Sequence, residues 1–345
     1  MYYLCVTYSV HRGQKVASIS PYARPAKVYL DSILVEGEAG PPDFAQQVKA
    51  IDQLSWHALP AKSIIIISEI PKNIMTTRPF LPENTLALAI ACDPEDDAAL
   101  QAKARTLAKF MHLREGGTGS SPHSFQLVYT GNGLELRTFN LESNRSPTPL
   151  SIDFISGNTG YRLLHGGGIH QPLARAVGLK PGIRPSIVDA TAGLGVDGFI
   201  LASLGCQVTM IERSPVMGAL LGDGLERAAH HPATRETAER IKLCLGNARE
   251  IIPGLENRPA TIYLDPMYPH RRSSALNKQE MRTIRELVGD DLDAAALLET
   301  ALEIATNRVV VKRPKGAPLL NARCPSHTIE MKNSRFDVYL TGLSR

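Results

Sequence analysis

The feature that most limits how this chain can fold is an alternation of strand-like and helix-like segments from about residue 151 onward. Apolar runs of strand length, such as Gln207–Ile211 and Thr261–Leu264, are separated by segments with helical periodicity. Strands that alternate with helices pair in parallel, because each crossover helix carries the chain back across one face of the sheet. The pattern therefore predicts an α/β domain with a mostly parallel sheet covered on both faces.

The elements of this domain are predicted from apolar runs and helix-start signals. The predicted strands are Ser186–Asp189, Gln207–Ile211, Ile241–Leu245, Thr261–Leu264 and Arg308–Lys312, with Thr328–Met331 and Phe336–Leu340 as a closing hairpin. The predicted helices are Asp197–Leu204, Pro215–Ala229 and two intervals between 276 and 306.

Two further regions precede this domain, so we expect three parts: an accessory α/β region of unknown role at 1–82, a small α+β subdomain at 83–150 and the α/β domain at 151–345. In the first, the predicted elements are strands Tyr2–Tyr8, Lys27–Val35 and Ser63–Ser68 and helix Phe44–Leu54. In the second, they are strand Leu86–Ala91, helix Glu95–Met111 capped by Asp93, and a hairpin of Phe125–Tyr129 with Leu134–Phe139.

Composition excludes several classes of protein. The 345 residues are 43% hydrophobic and 21% charged, which is typical of a globular chain, and the net charge of +4 alone is no argument for nucleic acid. The five cysteines are widely spaced and odd in number, so we expect reduced thiols and no metal site. No run of 18 apolar residues occurs, so we expect a soluble, cytoplasmic protein without a membrane span, and we favour a monomer.

A glycine-containing turn follows the first strand of the α/β domain, in the sequence DATAGLGVDG from Asp189 to Gly198. Gly193 and Gly195 let the backbone turn sharply and approach a ligand at the carboxyl end of the strand. By itself this turn fits a nicotinamide dehydrogenase or a flavoprotein as well as a methyltransferase.

Polar residues end the next two strands. Glu212 ends the second strand, where a carboxylate is placed to accept hydrogen bonds from both ribose hydroxyls of a nucleoside cofactor. Asn247 and Ala248 follow the third strand, where a side chain and a backbone amide could bind an adenine edge. The alternative for Glu212 is a solvated carboxylate at the strand end.

Acidic residues in the first turn separate the candidate cofactors. Asp189 ends the first strand and Asp197 begins the following helix. Neither suits an anionic pyrophosphate, which prefers unopposed backbone N–H groups at a helix N-terminus. Both suit a ligand that carries an ammonium and a sulfonium, and S-adenosylmethionine is such a ligand. For Asp197 the alternative is a helix cap.

The fourth strand leads into the sequence DPMYP, from Asp265 to Pro269. Methyl transfer to an exocyclic NH2 group needs acceptors for its N–H and a flat surface for the base. The Asp265 carboxylate and the Pro266 carbonyl supply acceptors, and Tyr268 supplies a ring for stacking. The alternative is a strand followed by a proline-rich turn with a packed tyrosine.

Basic residues cluster around this sequence. Clustered lysines and arginines beside a base-binding surface are suited to a phosphate backbone, although solvated basic loops are the alternative. The candidate RNA-binding residues are Arg271, Arg272, Lys278, Lys312 and Arg313.

These motifs resemble the small-subunit ribosomal RNA guanine-N2 methyltransferases of the RsmJ type. The resemblance covers roughly 83–340 and rests on the following segments: DATAGLGVDGF (189–199), IERSPV (211–216), YLDPMYPH (263–270), LVGDDLDA (287–294), RVVVKRP (308–314), DFISG (153–157) and HGGG (165–168). Val196 and Ile169 depart from the family, which usually has basic residues at both positions.

The resemblance implies a class I methyltransferase, a Rossmann-like α/β fold with a mostly parallel seven-stranded sheet and an N-terminal α+β extension. It also implies S-adenosylmethionine as cofactor and a guanine of 16S rRNA, free or in the 30S particle, as target. The implied cofactor contacts are Val196, Asp197, Glu212, Arg213, Asn247, Ala248 and Asp265.

Other functions stay open from the residues alone. The DPMY sequence is similar to sites that methylate DNA adenine or a protein glutamine amide, so local chemistry does not identify the substrate. A methyltransferase-fold protein that only binds RNA or assists ribosome assembly is the non-catalytic alternative.

Overall fold

The computed structural model describes residues 88–111, 113–116, 125–138, 149–156, 160, 167–266 and 293–342, together with six strand segments between Leu4 and Thr76. The chain separates into two compact units, Met1–Lys72 and Asn73–Arg345. The three-part division at residues 82 and 150 stays a prediction.

The first unit contains a five-stranded sheet with the order β3-β4-β2-β1-β5. Its strands are β1 (Leu4–His11), β2 (Gln14–Ser20), β3 (Ala26–Leu30), β4 (Ile33–Gly37) and β5 (Ile65–Ile67). The predicted strand Lys27–Val35 is in fact an antiparallel pair, because Asp and Ser, which favour turns, separate β3 from β4 in the sequence. The predicted helix Phe44–Leu54 lies outside the described residues.

A second five-stranded sheet, with the order β11-β10-β9-β7-β8, lies in the larger unit. Its strands are β7 (Leu88–Asp93), β8 (Arg114–Glu115), β9 (Phe125–Thr130), β10 (Gly133–Thr138) and β11 (Leu150–Ser151), and helix α1 is Ala98–Met111. The predicted hairpin is confirmed as the antiparallel pair of β9 and β10. The predicted cap Asp93 is wrong: it ends β7, and the Asp97 carboxylate accepts from the backbone N–H groups of Ala99 and Leu100.

The largest sheet has eight strands in the order β17-β18-β16-β15-β12-β13-β14-β6. They are β6 (Ile74–Thr76), β12 (Ile187–Asp189), β13 (Val208–Glu212), β14 (Ile241–Leu245), β15 (Thr261–Leu264), β16 (Arg308–Pro314), β17 (His327–Glu330) and β18 (Ser334–Leu340). All pairs are parallel except those of β18 with β16 and β17. The mostly parallel sheet and its closing hairpin are confirmed, and β6 adds an eighth strand beside β14.

Helices cover both faces of this sheet. They are α2 (Pro172–Val177), α3 (Val196–Ser203), α4 (Pro215–His230), α5 (Arg235–Glu239), α6 (Ala248–Ile251) and α7 (Ala294–Ile304). Side chains of a strand alternate between faces, so Val310 joins the core that includes α3 and α4, whereas Val309 and Val311 join the core that includes α7. Among the described helices none is long and apolar enough to span a membrane.

The order of the strands creates a crevice at one edge of the sheet. From β12 the chain proceeds outward through β13 and β14, and it then returns to place β15 on the other side of β12. The loops after β12 and β15 therefore diverge at the carboxyl ends of adjacent strands, which is where open α/β sheets bind ligands.

A buried ion pair fixes the end of β16, the strand that carries Lys312. Arg335 on β18 makes two hydrogen bonds to the carboxylate of Asp337, of 2.7 and 3.1 Å, and donates to the carbonyl of Lys315 at 2.8 Å. Asp337 is completely buried. Together these contacts tie β18 to the backbone just beyond the end of β16.

We expect Arg335→Met to reduce the free energy of unfolding by about 3–5 kcal/mol, because it leaves the buried Asp337 carboxylate without its cation. Urea denaturation measures the change. Adding Asp337→Asn to Arg335→Met should recover part of the loss. As a control, Arg323→Met removes a half-exposed pair with Glu299 and should cost about 1 kcal/mol or less. Equal losses in the free energy of unfolding for Arg335→Met and Arg323→Met would contradict the stabilising role assigned to the buried Arg335–Asp337 pair.

Candidate active site

A cleft of about 280 Å³ opens at the crevice, near the lower end of the range for small-molecule sites. Its lining comes from the ends of β12, β13 and β15, from residues that follow β12, β13, β14 and β15, including the first turns of α3, α4, α6 and α7, and from one side chain of β16. These predicted site residues line it: Asp189, Gly193, Gly195, Val196, Asp197, Glu212, Arg213, Asn247, Ala248, Asp265, Pro266 and Lys312.

The two glycines of the first turn have different roles. Both have positive φ, 53° at Gly193 and 71° at Gly195. A Cβ on Gly195 would lie 2.5 Å from the Leu221 side chain, whereas the nearest atom to a Cβ on Gly193 would be the Thr191 carbonyl oxygen at 3.9 Å. Gly195 is therefore required for close packing, and Gly193 keeps the wall of the cleft open.

Glu212 fastens this turn to the end of β13. Its Oε2 accepts from the backbone N–H of Gly193 and its Oε1 from that of Ser214, both at 2.7 Å. The residue is only 6% exposed, so the alternative of a solvated strand-end carboxylate is wrong. Because a carboxylate offers about four acceptor positions, this anchoring is compatible with the ribose contact predicted for Glu212.

Asp189 is buried at the base of the cleft, where its carboxylate accepts from the backbone N–H of Thr191. Burial, with the nearby charges of Asp197, Asp265 and Glu212, raises the pKa of Asp189 to about 8. The Asp189 carboxyl is therefore largely protonated in the folded protein at neutral pH.

Asp197 is bound by side chains rather than by the end of its own helix. Gly195 is the N-cap of α3, so the cap alternative for Asp197 is wrong. The Asp197 carboxylate accepts from the hydroxyl of Tyr263 at 2.7 Å and from the ammonium of Lys312 at 2.8 Å. Burial and the neighbouring carboxylates raise the pKa of Tyr263 well above its usual value, so this hydroxyl stays a donor.

Lys312 joins Asp197 to Asp265. Its ammonium lies 2.8 Å from Oδ2 of each carboxylate. Burial alone would lower the pKa of Lys312, but the two carboxylates raise it above the usual lysine value. The Asp265 backbone N–H also donates to the Thr191 hydroxyl at 2.6 Å, which fixes the start of the loop after β15. The Asp265 side chain is 39% exposed and therefore accessible to a substrate.

Residues that follow β13 and β14 form a further part of the cleft lining. Arg213 forms an ion pair with Asp293, the residue before α7, at 3.1 Å. The Asn247 side-chain oxygen accepts from the Arg249 backbone N–H, so it caps α6. Ala248 is buried beside it.

Comparison with known proteins identifies the family. Residues 108–341 match the family model SAM_MT, described as "Putative SAM-dependent methyltransferase". A protein of Desulfotalea psychrophila named "Ribosomal RNA small subunit methyltransferase J" is 48% identical over 239 residues, 69% of this chain and 91% of that protein. One of the same name from Thioalkalivibrio sulfidiphilus is 52% identical over 245 residues, 70% of this chain and 94% of that protein.

The chain belongs to the ribosomal RNA small subunit methyltransferase J family. The family resemblance seen in the sequence is thereby confirmed. The crystal structure of a SAM-dependent methyltransferase from Neisseria gonorrhoeae covers 74% of this chain and 97% of that chain, with 36% identity and a TM-score of 0.58. This likeness confirms the class I methyltransferase fold, and S-adenosylmethionine is the cofactor of the family.

The cleft of this methyltransferase suits its cofactor by charge and by shape. Even without Asp189, which is largely protonated, acidic groups outnumber basic ones among the described lining residues, with Asp197, Glu212, Asp265 and Asp293 against Arg213 and Lys312. Such a lining favours a ligand with a sulfonium and an ammonium. The open space at Gly193 allows a ligand to approach the backbone there.

Some predicted residues of the methyltransferase are placed differently or not described. Tyr268, Arg271, Arg272 and Lys278 lie outside the described residues. Arg313 is 4% exposed and donates to the carbonyl of Pro318. A phosphate contact requires an exposed guanidinium, so we withdraw Arg313 from the RNA-binding set.

Side-chain alternation along β16 explains the different positions of Lys312 and Arg313. Lys312 points to the face covered by α3, where its ammonium meets Asp197, so Arg313 points to the opposite face. The ammonium of Lys312 is engaged with two carboxylates, which does not support the phosphate contact predicted for it.

The sequence reasoning missed Thr191, Tyr263 and Asp293. A signal existed for Tyr263: it lies two residues before Asp265, so alternation along the strand places both on the same face. Thr191 and Asp293 lie within the family motifs at 189–199 and 287–294, but their partners could not be predicted, because their contacts connect segments that are distant in the chain.

The two glycines provide a matched pair of variants. We expect Gly195→Ala to lower stability by about 2–5 kcal/mol, because its methyl group overlaps the Leu221 side chain and the backbone there is also left-handed. Gly193→Ala should cost about 1 kcal/mol for its left-handed backbone and should mainly weaken S-adenosylmethionine binding. Thermal melts and calorimetric titration separate the effects, and equal losses of stability would contradict the assignment.

The raised pKa of Asp189 makes stability depend on pH. Between about pH 4 and pH 8 the folded protein keeps a proton on Asp189 that an unfolded carboxyl has released, so stability falls as pH rises. Asp189→Asn should remove this dependence, and its melting temperature relative to wild type should increase from pH 5 to pH 8.

Asp153 gives a control of opposite sign for the pH experiment. Partial burial opposes ionisation there, but hydrogen bonds from Ser156 and Ile155 lower its pKa overall. Asp153→Asn should therefore cost more stability at neutral pH than in acid. If Asp189→Asn and wild type changed in parallel from pH 5 to pH 8, Asp189 would be ionised in the folded protein.

Proposed function

We propose that this protein transfers a methyl group from S-adenosylmethionine to the exocyclic N2 of a guanine in small-subunit (16S) rRNA. The observation that carries the proposal is the placement of Asp265, partly exposed, at the rim of an acidic cleft formed by the glycine turn and Glu212. The names of the relatives support rRNA as the substrate class.

Asp265 and Pro266 have the chemistry to bind the target amino group. The N2 nitrogen of guanine is a weak nucleophile because its lone pair is delocalised into the ring. Acceptors for its N–H bonds hold the nitrogen in line and return electron density to it. The Asp265 carboxylate and the Pro266 carbonyl would supply these acceptors, and Tyr268 would stack on the base.

When bound, S-adenosylmethionine supplies an electrophilic methyl group. Methylation of N2 would develop positive charge on that nitrogen until it released a proton to solvent. The Asp265 carboxylate stabilises this charge. Lys312, whose pKa is raised, stays protonated and does not act as the base.

The acidic residues hold the cofactor in this proposal. Asp189 and Asp197 flank the glycine turn in the sequence and line the cleft, and they would face the cationic groups of the cofactor, whereas Glu212 would accept hydrogen bonds from its ribose. Val196 and Arg213 would form the sides of the pocket, and Asn247 with Ala248 its adenine end.

Binding of the RNA falls to basic residues beyond Pro266. Arg271, Arg272 and Lys278 would contact phosphates and would make binding weaker in high salt. The target base must leave its stack, at a cost of a few kcal/mol, which favours an exposed guanine. We expect the enzyme to act as a monomer on rRNA or on the 30S particle.

Transfer of labelled methyl to 30S particles and rRNA from a strain lacking the enzyme tests the proposal. Nucleoside analysis should find N2-methylguanosine. Asp265→Ala should reduce kcat/KM by about 100- to 1000-fold, because it removes a charge aimed at the reacting nitrogen. Cofactor titration, followed by heat, should show that this variant still binds S-adenosylmethionine.

Competition among rRNA, DNA and a glutamine peptide decides the substrate class. Methylation of DNA or peptide in preference to rRNA would overturn the proposed substrate. Cofactor binding and RNA binding without any methyl transfer would instead favour the assembly-factor alternative.

A further inference from the structure

We propose that Lys312 is a positioning residue that locks the substrate-facing carboxylate Asp265 to the cofactor-facing carboxylate Asp197. The inference rests on the proposed function for the role of Asp265 toward the amino group. It assigns Lys312 a role inside the cleft in place of the phosphate contact that the sequence predicted for this residue.

The geometry of the ammonium supports this role. Lys312 Nζ lies 2.8 Å from Oδ2 of Asp197 and 2.8 Å from Oδ2 of Asp265, so the two oxygens are no farther apart than twice that distance. Two carboxylates at such a separation repel each other unless a cation lies between them. Lys312 therefore draws the Asp265 carboxylate toward Asp197.

Other contacts fix both the Asp197 carboxylate and the strand that carries Lys312. Tyr263 donates to the same Asp197 oxygen that Lys312 contacts, so the position of Asp197 is set from β15 as well as from α3. Arg335 donates to the backbone carbonyls of Pro314 and Lys315, just beyond Lys312. The ammonium thus joins β16 to the start of α3 and to the loop after β15.

The charge of Lys312 predicts which step of the reaction a Lys312 variant should impair. Lys312 and Arg213 are the basic side chains among the described residues that line the cleft. Removing Lys312 makes the lining more negative, which should not weaken binding of a cationic cofactor. The defect in a Lys312 variant should therefore appear in the chemical step, where the orientation of Asp265 matters.

Thermal melts of Lys312→Met, Asp265→Asn and the double variant, without cofactor, test the link independently of activity. We expect Lys312→Met to melt well below wild type, and Asp265→Asn in the same chain to restore part of the loss by removing one of the two repelling charges. As a matched control, Lys315→Met, which loses an exposed pair with Glu330, should leave the melting temperature nearly unchanged. Strictly additive shifts would overturn the link.

Steady-state kinetics test whether the Lys312 link contributes to catalysis. Lys312→Met should lower kcat at least about tenfold, with the S-adenosylmethionine dissociation constant within about threefold of wild type. The acid limb of kcat should move to higher pH, because the Asp265 carboxylate loses its neighbouring cation. Lys312→Arg should restore part of kcat.

A phosphate contact would give a different pattern. The KM for RNA would rise, kcat would change little, and the salt dependence of RNA binding would fall by about one unit of slope. That result would overturn the inference.

The two proposals fail separately. If wild type methylated no rRNA, the proposed function would be wrong, and the melts would still decide whether Lys312 links the two carboxylates. If rRNA were methylated and the melts were additive, only the role of Lys312 would be wrong.

Discussion

One ammonium group between two carboxylates fixes the arrangement of acidic side chains in the cleft of this methyltransferase. Lys312 comes from β16, Asp197 from the start of α3 and Asp265 from the end of β15. Without the cation, the negative charges gathered at the sheet edge would repel one another, since they lie in a partly buried environment where repulsion is poorly screened. The ion pairs thus let the fold concentrate acidic groups where a cationic cofactor binds.

The parallel sheet makes this concentration possible. All five strands that border the cleft end at the same edge, so residues from 189 to 312 meet within one small volume. Each strand end is then fixed by a local contact: Glu212 holds the glycine turn, Thr191 holds the loop of Asp265, and Arg335 holds the end of β16. Positioning of this kind suits a reaction in which the methyl donor is already reactive and alignment limits the rate.

The acidic groups of the cleft have different roles because their burial and hydrogen-bond partners differ. Asp189 is fully buried and largely protonated at neutral pH, so it adds little charge before a cofactor binds. Glu212 is occupied with backbone N–H groups and acts mainly as an anchor. Asp265 is the most exposed of the three and is the one that a substrate can reach.

The sequence by itself determined the parallel sheet, its closing hairpin and most of the residues that line the cleft, because alternating strands and helices permit few arrangements and parallel strands end at a common edge. Only the tertiary structure decided what Lys312 and Arg313 do. Both are basic and adjacent in the chain, yet the pleat of β16 points one into the cleft and buries the other. The contacts of Lys312 join residues 47 and 115 positions apart, a pairing that depends on packing between elements and is therefore absent from any local pattern.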